Sequence, residues 1–191
     1  MTAERVLALL IHSRSARERW RAGTLDVAPE VAALLWTLDP TAIEATAAAV
    51  RRHVLERTHT GVGTLVDAFP QTIAAWRSRH PEDRDLDELS AAFLDSAAAA
   101  CWCETPGHTG GSSLEEAFYE FATAEQLGDP GVRKREWYTA LIKMLAIDRA
   151  PTWTVPAYVH RRAGTTWLLD DGDPPTIFAT VGDRILIGPV A

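Results

Sequence analysis

The stretch CWCETPGHTGGSS, residues 101–113, holds both cysteines of the chain, one histidine and three glycines. Thiolates and an imidazole that close together raise metal or redox chemistry. The spacing argues against both. Zinc sites separate their cysteines by two to four residues and need four ligands, whereas Cys101 and Cys103 flank a single tryptophan with only His108 near. A Cys-Trp-Cys ring would be strained, and on a helix residues two apart point to different sides. The stretch reads instead as a break between helices. Pro106, Gly107, Gly110 and Gly111 stop one helix, and Ser113 with Glu116 forms a capping box for the next. GHTGG lacks the Gly-Lys-Ser/Thr ending and the preceding strand of a phosphate loop.

The six histidines lie in unlike contexts, and none forms a His-x3-His pair with an acid between. His59, beside a glycine loop, is the most site-like. With His53 and an acidic neighbour it could form an acid–base pair in a small helical enzyme. A surface or helix-end histidine is the default for both. Nucleophile-elbow, dinucleotide and kinase signatures are absent. The adjacent acids Glu115-Glu116 and Asp170-Asp171 sit at a helix start and a turn, which does not define a carboxylate pair. Most of the seven tryptophans fall on core spacing, as Trp137 does with Leu141, Met144 and Leu145.

These residues need elements to position them. With 191 residues the chain buries roughly 70% of its unfolded surface and needs no disulfide or metal staple. Asp39-Pro40 places a cap before a first-turn proline, and Ile43, Ala47, Val50 and Val54 then follow one helical face. Ser15 with Glu18 predicts a capping box for a short helix through Trp20. Pro70 must restart a helix, although Leu65, Phe69, Ile73 and Trp76 keep helical spacing through it. Asp83 or Asp85 caps a stripe of Leu86, Leu89, Phe93 and Ala97, and Asp129-Pro130 opens a further helix. After Pro151 and Pro156 the pattern changes to TTWLLDD, TIFATV and RILIGPV, short strands with a Gly-Asp hairpin turn in VGDR. The predicted class is α+β: an α-helical domain over 1–150 and a small antiparallel β unit over 151–191 that leans on it.

A net charge of −7 disfavours nucleic acid as a partner. Basic clusters at Arg14–Arg21, Arg51-Arg52 and Arg133–Arg135 read as solvated helix faces, with an acidic peptide or partner surface as the alternative. No apolar run approaches the roughly 20 residues of a membrane span, and the apolar patch near the start is too short for a secretory signal. A cytoplasmic protein is expected.

The order VRRHVLERTHTGVGTLVDAFPQTIAAW, LDELSAAFLDS, SLEEAFYEFA and DPGVRKREWYTALIKML resembles the helical domain of a particular family. Its members are the small proteins that accompany multinuclear non-haem iron oxidative enzymes, which modify ribosomally made peptides, as in methanobactin biosynthesis. The shared features are Phe69-Pro70, the Leu86, Leu89, Phe93, Leu94 helix, Phe118 with Phe121, and Glu136-Trp137, followed by a β-rich tail. The resemblance implies a non-catalytic partner. The iron belongs to the enzyme, this chain carries no cofactor, and it holds the precursor's leader peptide while its helical domain docks onto the enzyme. The leader would add as a strand to an edge of the β unit, with alternate side chains forming pockets. Those side chains are Thr165, Trp167 and Leu169, or Ile177, Phe178 and Thr180, with Trp167 and Phe178 as anchors.

Overall fold

The computed structural model describes residues 2–56, 63–104, 111–148, 150–182 and 184–190. The first helices, α1 (Ala3–His12), α2 (Arg14–Arg21), α3 (Pro29–Leu35) and α4 (Pro40–Val54), close over a core of their own. Val6, Leu10, Trp20, Leu35 and Ile43 meet there. Asp39 caps α4 by accepting the Thr41 N–H at 2.8 Å. The cap of α2 is Ser13 rather than Ser15, because Ser13 already ends α1 in extended backbone, and its Oγ accepts the Ala16 N–H.

The larger core belongs to α5 (Leu65–Ala68), α6 (Pro70–Arg79), α7 (Asp87–Leu94), α8 (Ala97–Glu104), α9 (Leu114–Ala124) and α10 (Pro130–Ile147). Phe69, which separates α5 from α6, is fully buried, and its ring lies 5.1 Å from Phe118. Phe93, Phe118 and Phe121 pack edge-on or tilted around one another. The stripe predicted through Ala97 breaks at Asp95 and Ser96, which end α7 and start α8, and Ala97 is exposed.

Two buried carboxylates fasten this core. Asp83 accepts the Glu88 and Leu89 N–H groups and the Trp76 indole N–H, so it caps α7 in place of Leu86. Burial would raise its pKa, but the backbone and indole donors outweigh burial and hold the carboxyl below its ordinary value. Glu136 of α10 reaches across to the start of α6. There it accepts the Gln71 and Thr72 N–H groups and the Thr72 hydroxyl at 2.6–3.2 Å. A helix start that has no side-chain cap of its own is thus satisfied from a neighbouring helix.

The chain ends in an antiparallel meander in the order β1 (His160–Arg162), β2 (Thr165–Asp170), β3 (Thr176–Val181), β4 (Arg184–Pro189). Its register sorts the side chains. Leu168, Phe178 and Ile187 are successive cross-strand partners and share one face. On that face Leu168 and Phe178 are buried in the helical core, and the Phe178 ring meets Tyr138 of α10 at 5.6 Å. Asp170, two residues from Leu168, accepts Lys134 at 2.8 Å and Arg135 at 3.4 Å. α10 therefore covers this face over β2 and β3, while Ile185 and Ile187 of β4 stay partly exposed. No described helix is long and apolar enough to cross a membrane.

Candidate peptide-binding edge and face

The opposite face follows from the same register. It carries His160 and Arg162 of β1; Thr165, Trp167 and Leu169 of β2; Ile177, Ala179 and Val181 of β3; and Arg184, Leu186 and Gly188 of β4. Leu169, Val181 and Leu186 are each about half exposed. His160 stacks on Trp167 at 5.5 Å, which fixes the indole against its strand. Ala179 is nonetheless buried, because Trp167 and Leu186 flank it as its register partners.

β4 is the outermost strand, and among the described residues nothing pairs with its outer side. Ile185, Leu186 and Ile187 are consecutive, point alternately to both faces, and are 39%, 53% and 49% exposed. An apolar edge of six residues whose only charge is at its first position presents backbone donors and acceptors together with side-chain grip. Chemically it can accept an extended chain by strand addition.

The six residues expected to bind peptide divide between the two faces. Thr165, Trp167, Leu169 and Ile177 lie on the open face, half-buried or exposed. Phe178 and Thr180 do not. Phe178 is 2% exposed beneath α10, so it is a core residue rather than an anchor. Thr180 is buried on the same side, and its hydroxyl donates to the Gly182 carbonyl. Successive strand residues alternate between faces, so Ile177 and Phe178 could not both face a ligand.

The missed residues are those of β4 and β1. RILIG follows neither a period of two nor of 3.6. Three consecutive exposed apolar residues were the available signal for an edge exposed on both faces. HRR, by contrast, has no strand signature. It is drawn into the sheet by a tight turn in which Ala163 and Gly164 both take positive φ.

No protein-family model matches the chain, and no curated protein or solved structure matches it. The site therefore rests on geometry.

The electrostatics of the sheet are polar end to end. At the β2–β3 turn, burial would raise the Asp170 carboxyl, but the bond from Lys134 with support from Arg135 holds it below its ordinary value. The same two aspartates, 170 and 171, raise the Lys134 ammonium. At the opposite end lie Arg161, Arg162 and Arg184, all exposed. A cavity of about 280 Å³ opens there between the β1–β2 turn and Leu145 of α10, lined by Arg161, Arg162, Thr165, Thr166 and Thr180.

The remaining chemistry candidates lie elsewhere. His53 is exposed on α4 with Nδ1 3.2 Å from Glu56 Oε2, and it lines a cleft with Arg52, Arg77 and Arg84. His59 and His108 fall outside the described residues. On α8, Cys101 is exposed and Cys103 buried. His80, Glu82 and Glu88 each bring a possible ligand atom within 4.8 Å of the others, with His80 stacked on Trp76 at 4.0 Å. These three offer an imidazole and two carboxylates of the kind that hold divalent ions.

Proposed function

We propose that this chain is a cytoplasmic, non-catalytic partner subunit that holds the leader segment of a ribosomally made precursor peptide for an iron-dependent oxidative enzyme. The observation that carries the reading is β4, an edge strand apolar on both sides and unpaired among the described residues. Strand addition there satisfies its outward backbone groups and covers Ile185, Leu186 and Ile187 in one step. Trp167 and Leu169 continue the apolar surface inward. Enzyme docking falls to the helical part, where Leu34 and Trp36, 55% and 72% exposed, offer an anchor of the type that dominates protein interfaces.

The test is to express the tagged chain in its native host and measure what it retains. The expected result is stoichiometric recovery of an iron-bearing oxidase together with its precursor peptide, with amide exchange slowed along 184–189 when peptide is bound. Leu186→Lys with Ile187→Lys should release the peptide. Retention of both partners by that variant, or amide protection confined to the helices, would overturn the edge as the peptide site.

A further inference from the structure

The sheet also specifies which peptide fits, an inference that rests on the edge reading above. The register sets three rows across the open face at β4. Gly188 stands opposite Ile177, which is opposite Leu169; Leu186 stands opposite Ala179 and Trp167; Arg184 stands opposite Val181 and Thr165, with Arg162 closing the row. Each row asks for a different neighbour. At Gly188 a Cβ would meet nothing within 4 Å, so the edge has a notch there beside Ile177 and exposed Leu169. A large apolar side chain from an added strand fills it. Next to Leu186, a second apolar side chain extends the surface over Ala179 and Trp167.

The third row is cationic. Arg184 ends it on β4 and Arg162 on β1, three strands apart, and among the described residues neither has a carboxylate within 4 Å. Elsewhere Arg17 and Arg21 meet Glu44, and Arg135 meets Asp170. An exposed arginine on the edge strand, with no carboxylate within 4 Å among the described residues, is complementary to an acid on an added strand. At the opposite end of the sheet the cations Lys134 and Arg135 are already engaged by Asp170 and Asp171. The sheet is antiparallel throughout, and an antiparallel addition runs against β4, meeting Gly188 first and Arg184 last.

We infer that β4 selects an extended segment with large apolar residues at two alternate positions and aspartate or glutamate at the third, in that N-to-C order: apolar, any, apolar, any, acidic. The acid pairs with Arg184, which stands opposite it; the first apolar residue fills the Gly188 notch.

Selection of a phage-displayed library of random 12-residue peptides on the immobilised full chain tests this. The best peptide is then resynthesised for fluorescence polarisation. The expected motif carries its acid on the C-terminal side of the apolar pair. Arg184→Glu should weaken that peptide about five- to ten-fold while leaving the melting temperature unchanged, and lysine in place of the acid should restore binding to this variant. Gly188→Val, which closes the notch, should weaken the peptide at either charge. Enriched peptides that need Leu186 but show no acid, or an acid on the N-terminal side, overturn the inference and leave the edge reading standing. Peptides indifferent to Leu186→Lys, or no enrichment, overturn both.

Discussion

β1 and β4 close the same sheet on opposite sides, and they treat an exposed edge differently. β1 is three residues long and reads His-Arg-Arg. A short charged edge gives another strand little to pair with. β4 is twice as long and places three apolar residues in succession. The faces differ as well: one is covered by α10 at β2 and β3, and the other carries Leu169, Val181 and Leu186 half exposed. Protection on one side and exposure on the other separate where stability is built from where an added strand has room. The sealed face should respond to mutation through folding, and the open edge through binding.

Four experiments sharpen or break that contrast. Phe178→Ala should cost about 3–5 kcal/mol in urea unfolding, since it removes a ring from a filled core. Leu169→Ala on the open face should stay within about 0.5 kcal/mol. Equal losses at the two sites would erase the distinction between faces.

Asp170→Asn should cost about 1–3 kcal/mol at neutral pH by leaving Lys134 and Arg135 without their shared carboxylate. The folded pKa of Asp170 is lowered, so its contribution is full above the unfolded carboxylate value, about 3.9, and is lost as pH falls through the folded value. Wild type and variant should therefore converge in acid unfolding curves. A gap that persists unchanged below about pH 2 would mean that packing, not charge, is involved.

Ala163→Gly should stabilise by up to about 1 kcal/mol, because Ala163 sits at φ +46 in the β1–β2 turn, where glycine carries no side-chain penalty. A loss instead would show that the Ala163 methyl packs usefully at the protected edge. The smallest expected change in stability, within about 0.5 kcal/mol, belongs to Leu186→Lys. Its signature is elsewhere: less self-association at high concentration by light scattering, together with loss of peptide. A large drop in unfolding free energy would place β4 with the sealed face.

Much of this frame is legible in the sequence. The restart at Pro70 and the Asp39 and Asp129 caps follow from local chemistry that acts within a few residues. So do the limits of β2, β3 and β4, because Gly182 and the DDGDPP turn punctuate apolar runs. What local chemistry cannot show is which face meets α10. Phe178 and Trp167 have equal claims as anchors until Tyr138 takes one of them. Glu136 is read as part of a Glu-Trp helix, yet its carboxylate closes the start of α6 more than sixty positions earlier in the chain. β1 is invisible for the same reason, since its pairing with β2 comes from a turn geometry that alanine rarely adopts.

The packing of β2 and β3 against α10 also has a consequence for synthesis. A chain leaves the ribosome N-terminus first, so α10 is complete before the strands that cover it exist. During that interval the flank bearing Tyr138 lies open to water and to other nascent chains. The strands act as a lid on the folding intermediate, and a ribosome that stalls before residue 165 leaves a nearly finished core with one wall missing.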